Sequence, residues 1–183
     1  MSYTDCMIDL ETLGTKPGCV ILSIGAVLFD LDTGEIGDTF YSPISKSSCL
    51  IHGLTIDPVT VEWWARRDNT DAYAVIADAN SPCAPPLMCV LASFSEWLIM
   101  HSVSRADRRI WGNGAAFDQP ILAEAYRLAG IQLPWVFWNE MCFRTIKNLR
   151  PDIPMEKSGV QHNALADAQQ QTIHLIKLLT SGK

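Results

Sequence analysis

The chain has 183 residues, of which 48% are hydrophobic and 19% charged, with a net charge of −6. That size suits a single domain, 1–183, with a sizeable core. The composition excludes a disordered chain and a membrane-spanning one, since no apolar run reaches the about 20 residues a bilayer demands, and the acidic balance argues against a surface that coats nucleic acid broadly.

The first predicted element is a strand at 6–10, and it carries the motif Asp9-Leu10-Glu11-Thr12. In an extended strand, residues i and i+2 share a face, so Asp9 and Glu11 stand side by side while Ile8 and Leu10 point to the other face. Two like charges so close are costly unless a cation lies between them, and hard divalent cations take oxygen ligands. A pair of solvated acids at a strand end is the plain alternative.

After the loop Gly14-Thr15-Lys16-Pro17-Gly18, the stretch 20–29 is rich in β formers, Asp30-Leu31-Asp32-Thr33-Gly34 is turn chemistry, and 35–44 returns as a strand, completing an antiparallel meander. Asp57-Pro58 opens a short helix reaching about 67. It bears Trp63 and Trp64, which point about 100° apart; one belongs to the core and the other faces substrate or a partner subunit. Residues 68–86 are polar and proline-interrupted, with a loop at 81–86. An amphipathic helix is predicted at 87–101, a strand at 109–111, a helix at 119–129, a strand near 136–138 and a short helix at 142–149.

Arg109-Ile110-Trp111 runs into the turn Gly112-Asn113-Gly114, and Asp118 follows at a helix start, just before Pro120. It reads equally as an N-cap or as a third acid of the site. The last helix, 164–179, offers Leu165, Ala168, Thr172, Leu175, Ile176 and Leu179 as its packed stripe. Asp167 lies on it, and His162 in the loop before it, able to lean over whatever Asp167 binds. Strands first, then alternating helix and strand, imply an α/β protein with a mixed sheet and helices on its faces.

Taken together, the motifs at 9–11, 113–118 and 162–167 resemble the DEDD superfamily of 3′–5′ exonucleases, in the subgroup with a histidine in the third motif (DEDDh). Residues 7–27, with Thr60-Val61-Glu62-Trp63-Trp64, look most like the phage and prophage branch related to ribonuclease T. The resemblance implies a ribonuclease H-like fold with a five-stranded mixed sheet. It implies phosphodiester hydrolysis from the 3′ end of single-stranded DNA or RNA, with two Mg²⁺ ions, for which Mn²⁺ may substitute, held by Asp9, Glu11, Asp118 and Asp167. His162 would accept the proton of the attacking water. Thr12, Leu13 and Gly14 would meet the terminal nucleotide, with Leu13 either a wedge against a base or a core residue. Phe117 and Trp64 are candidate base contacts, and Arg144, with Arg66, Arg67 and Lys147, candidate phosphate contacts. Trp111, Trp135 and Trp138 are assigned to the core or to an oligomer interface, a homodimer being left open.

Cys6, Cys19, Cys49, Cys83, Cys89 and Cys142 have no C-x-x-C or zinc-finger spacing and read as free thiols. With no basic-then-apolar start to suggest a signal peptide, a cytoplasmic protein is expected. Three other readings stand beside the exonuclease: a catalytically silent ribonuclease H-like module that holds nucleic-acid ends, a structure-selective endonuclease, and a structural Ca²⁺ site. A silent module predicts a damaged acidic set, and a Ca²⁺ site has no use for His162.

Overall fold

The computed structural model describes residues 2–66, 70–156 and 162–181. Strands β1 (Asp5–Thr12), β2 (Ile21–Phe29) and β3 (Ile36–Pro43) form the expected antiparallel meander. Strand β4 (Arg109–Gly112) runs parallel to β1, and β5 (Glu140–Cys142) parallel to β4, giving the order β3-β2-β1-β4-β5. Strand β2 is buried along its whole length and β1 nearly so. A strand covered on both faces loses polar alternation and reads as a near-continuous apolar run. Edge strand β3 is half exposed and keeps a mixed sequence.

The helices are α1 (Lys46–Ile51), α2 (Pro58–Trp64), α3 (Thr70–Asn80), α4 (Leu87–His101), α5 (Asp118–Ala129), α6 (Phe143–Leu149) and α7 (Ala164–Thr180). The period of two along β1 sorts its side chains between two cores. Cys6, Ile8 and Leu10 join Ile24, Ala26 and Leu28 against α4 and α5, where Leu87, Leu91, Phe94, Leu98, Ile121 and Leu122 are fully buried. Met7, on the opposite face, joins Val27, Phe29 and Trp111 against α6 and α7. At about 1.5–3 kcal/mol for each large apolar side chain removed from water, these two layers hold the helices to the sheet.

The structure departs from the predicted elements in several places. Helix α1 has no counterpart among them, and residues 70–80, assigned no element, form α3, with Val75 and Ala79 buried one turn apart. The strand expected near 136–138 is displaced to β5; Phe137–Asn139 is a 3-10 turn with Phe137 and Trp138 exposed. The displacement has a visible anchor: Gln119 Nε2 donates to Ile110 O at 3.2 Å and Met141 O at 2.7 Å, clamping β5 beside β4. On α7, Leu178 takes the core position expected of Leu179, which is exposed, and the polar Gln171 and His174 are buried beside it. All six cysteines are free. Among the described residues no helix is long and apolar enough to cross a membrane.

Candidate active site

Asp9 and Glu11 share the face of β1 that looks toward α7, opposite Gly25 and Ser23 of β2. Gly25 has a steric reason: a Cβ there would lie 2.1 Å from the backbone carbon of Ala164 and 2.2 Å from the nitrogen of Leu165. Only glycine lets the first turn of α7 settle on the sheet. Asn163 caps that turn, its Oδ1 accepting from Ala166 N at 3.0 Å. Asp167 is thereby delivered to the strand acids, and Asp9, Glu11 and Asp167 bring carboxylate oxygens within 4.8 Å of one another.

Asp118 approaches from the other side. It is the first residue of α5 rather than its cap, and its buried carboxylate accepts from Leu10 N at 3.2 Å and Asn113 N at 2.9 Å. Those bonds pin it to β1 and to the Gly112–Gly114 turn. It stands outside the tight group of three, yet its charge is felt at both Asp9 and Glu11.

The electrostatics are those of acids without a cation. Burial, then the charges of Asp118 and Glu11, hold Asp9 well above the ordinary carboxylate range. Glu11 is pushed up to about 8 by burial and by the charges of Asp167 and Asp118. Burial raises Asp118 to about 6, against the pull of its backbone donors and Arg144. Asp167 is also raised by burial, with His162 opposing. The oxygens Ser23 Oγ and Gln171 Oε1 are buried nearby with no partner among the described residues. An all-carboxylate donor set, mutual repulsion and spare buried oxygens fit hard divalent cations and their water.

A cleft of about 450 Å³ opens over the acids, lined among others by Thr12, Gly14, Val59, Trp63, Phe117 and His162. His162 has φ +62°, a left-handed conformation that is uncommon outside glycine. Its ring packs edge-on to Trp63, with centroids 4.9 Å apart, and to Trp64 at 6.1 Å. Thus the histidine faces the cleft beside Asp167, as its place before the helix suggested.

The residues expected to meet substrate divide. Trp64 is buried at 2% exposure and donates from Nε1 to Thr12 O at 2.8 Å, bracing the strand end. Trp63 carries the exposed ring of the pair. Of the two readings open for Leu13, the structure takes the core: its side chain is 5% exposed, just past the register shift between Glu11 and Thr12. Gly14 fits where a Cβ would lie 2.6 Å from that of Cys19, and its carbonyl accepts from Thr12 Oγ1 at 2.6 Å. Phe117 lines the cleft. Arg144 is exposed over Gly114 and near Asn113 Oδ1, within electrostatic range of Asp118. Arg66 is exposed, Lys147 Nζ sits 5.6 Å from the centre of the Phe143 ring, and Arg67 lies outside the described residues. Trp111 and Trp135 are core, whereas Trp138 is 66% exposed.

Sequence reasoning missed two contributors. Gly25 carries no pattern that announces a helix overhead. Gln171 donates from Nε2 to Asp9 Oδ1 at 2.7 Å; its spacing of one turn after Asp167 was the available signal.

Fold and site together define a nuclease of the ribonuclease H-like class, and comparison with known proteins agrees. The family described as the 3′–5′ exoribonuclease Rv2179c-like domain matches residues 4–179, and the chain belongs to it. An exodeoxyribonuclease of enterobacteria phage T4 is 24% identical over 161 residues, covering 77% of this chain and 69% of that protein. The nuclease domain of 3′hExo, a DEDDh family member solved bound to rAMP, superposes with a TM-score of 0.65 at 15% identity, covering 98% of this chain and 94% of that one. The zinc-bound E. coli ExoI–ssDNA complex gives a TM-score of 0.66 at 14% identity, covering 99% of this chain but 41% of ExoI. The chain is a 3′–5′ exonuclease with the ribonuclease H-like fold.

Proposed function

We propose that this exonuclease, acting as a single domain over 1–183, removes mononucleotides stepwise from the free 3′ end of single-stranded DNA or RNA with two divalent cations, Mg²⁺ by preference and Mn²⁺ as substitute. The observation that carries the reading is the convergence of Asp9, Glu11 and Asp167 within 4.8 Å, with no cationic side chain bound to them among the described residues. These three, with Asp118, would hold the ions. When bound, the ions supply the positive charge an anionic phosphodiester needs and lower the cost of forming a nucleophile.

The chain's own residues do the rest. His162, standing in the cleft beside Asp167, takes the proton of the attacking water on a ring nitrogen, and the 3′-oxygen of the penultimate nucleotide leaves with the electrons of the broken P–O bond. Thr12, Gly14 and Phe117 line space for one terminal residue, and the exposed ring of Trp63 offers a stacking face. Trp64 acts from behind, through its bond to Thr12 O. Arg144, on the Asp118 side, is the candidate phosphate contact. A cleft of about 450 Å³ accommodates a nucleotide rather than a duplex end. A paired terminal base would also have to leave its stack, at a cost of a few kcal/mol.

A 5′-labelled single strand with Mg²⁺ is expected to shorten as a descending ladder, in matched DNA and RNA versions that read the sugar preference directly. A 3′-phosphate end should resist, and a covalently closed single-stranded circle should survive. Rapid cutting of the circle would replace this reading with an endonuclease.

A further inference from the structure

Gln171 is 3% exposed on the buried side of α7, and the mechanism above leaves it without a role. Its neighbours on that side, Ala168, Thr172 and Leu175, are fully buried, so a leucine or methionine would pack there as well. The amide does something an apolar chain cannot. Toward a carboxylate it must present its NH₂ group, which fixes the assignment of its two ends. Nε2 then donates to Asp9 Oδ1 at 2.7 Å, while Oε1 is left buried without a partner among the described residues. Asp9 Oδ2 accepts no hydrogen bond among those residues, and Asp9 belongs to the group whose oxygens converge with Glu11 and Asp167. In a cluster of like charges, a carboxylate with both oxygens loose swings away from its neighbours. A lysine or arginine would hold it but would also occupy the cation's place. A neutral donor holds it and leaves the negative charge available.

We infer that Gln171 is a positioning residue of the nuclease centre, its amide locking Asp9 Oδ1 so that the remaining oxygen stays turned toward Glu11 and Asp167 and a divalent cation meets a preset ligand. The inference rests on the proposed reading of the acids as cation ligands. Groups that orient a metal ligand typically contribute about 10–100-fold in metal affinity or activity.

The test uses Gln171→Met, which keeps length and apolar packing, and Gln171→Asn, which keeps the amide but withdraws it from Asp9. Mn²⁺ binding to the full chain is followed by calorimetry or by loss of the free-ion electron spin resonance signal, beside kcat and KM on a single-stranded oligonucleotide and metal-free Tm. In both variants Mn²⁺ affinity should fall about 10–100-fold, kcat should fall at limiting Mn²⁺ and recover as Mn²⁺ is raised, and KM for the oligonucleotide should stay put. A folded variant of either kind with Mn²⁺ affinity and kcat within twofold of wild type would overturn the inference. If instead wild type failed to bind Mn²⁺, or Asp9→Asn bound it as tightly as wild type, the cation reading itself would fall.

Discussion

Strand β1 carries acids at both ends of one face, and the two ends are treated in opposite ways. Asp5, fully buried, receives Arg109 in a two-pronged bond (Nε to Oδ1 at 2.7 Å, a terminal nitrogen to Oδ2 at 2.6 Å) and the indole Nε1 of Trp111 at 2.8 Å. Its charge is neutralised and its oxygens are occupied. Four residues on, Asp9 has one neutral donor, and Glu11 has no side-chain partner among the described residues, while Asp118 and Asp167 add like charge. The same strand, sheet and core surround both ends, so burial alone does not explain the difference. A fold that supplies a fitted cation to one buried acid and withholds it from the others leaves the second end to recruit its positive charge from solution.

The comparison breaks most sharply at the uncompensated end. Asp9→Asn or Asp118→Asn should lower exonuclease turnover by more than the about 100-fold that loss of a ligand's outer partner costs, because an amide is a poor ligand for a hard cation. Metal-free Tm should stay equal or rise, since each change relieves repulsion among the acids. Asp118→Asn cutting a labelled oligonucleotide at the wild-type rate would end the two-cation assignment.

At the compensated end the same kind of surgery should damage the fold and spare the chemistry. Arg109→Met strips Asp5 of its cation while leaving the Trp111 donor. Removing one partner of a buried pair costs about 3–5 kcal/mol, and the one-third exposure of Arg109 sets the expectation at the low end, about 3 kcal/mol. Urea unfolding measures it. Mn²⁺ affinity of the folded variant should be unchanged; a loss matching that of Asp9→Asn would mean that the two ends are not independent.

Between these ends lies the glycine that brings α7 down. Gly25→Ala forces a methyl into the backbone of Ala164 and Leu165, and overpacking of this kind costs about 1–3 kcal/mol, occasionally more. Asp167 should be lifted from Asp9 and Glu11, so activity should fall further than the loss of stability explains, measured at a temperature where the variant is folded. Wild-type activity at reduced Tm would show that the spacing of α7 is not critical.

This substitution also marks where the sequence stops being legible. Acids at i and i+2 on a strand, an Asp at a helix start and an Asp in the first turn of the last helix are local facts, assigned to elements by periodicity together with turn and proline signals. Their meeting in space depends on what lets those elements approach. Gly25 does so by lacking an atom, which leaves no trace in hydrophobic pattern. Gln171 hides for the converse reason, since an amide in a run of three glutamines looks like helix surface. Leu13 stayed open between wedge and core because the register shift between Glu11 and Thr12, invisible to a period-two reading, comes just before it. At 70–80 the signal existed in Val75 and Ala79, one turn apart, but polar neighbours and nearby prolines outweighed it. At 136–138 an apolar triplet suggested a strand, whereas pairing with β4 selected Glu140–Cys142.

The smallest effect is a slope against pH, and it sharpens the contrast through a near-isosteric change at one acid. Asp9, Glu11, Asp118 and Asp167 are all raised in the folded protein. A raised folded pKa means that the native state binds more protons than the unfolded chain between the two values, so stability falls as pH rises through that window. The window runs from the ordinary carboxylate range up to about 6 for Asp118 and about 8 for Glu11. In EDTA, Tm should therefore decline from pH 5 to pH 8. His174, lowered by burial, works in the opposite sense, because the unfolded chain binds its proton more readily, so stability gained there rises toward pH 6.5. The clean readout is thus a difference: Glu11→Gln, which cannot ionise, should decline less steeply than wild type, and the gap should be widest near pH 8. Saturating Mg²⁺ should flatten or reverse the wild-type slope, since the cation binds the deprotonated acids and stabilises the native state by mass action. Parallel Tm curves for wild type and Glu11→Gln in EDTA would mean that Glu11 ionises at no cost, and the uncompensated end of β1 would then need no cation.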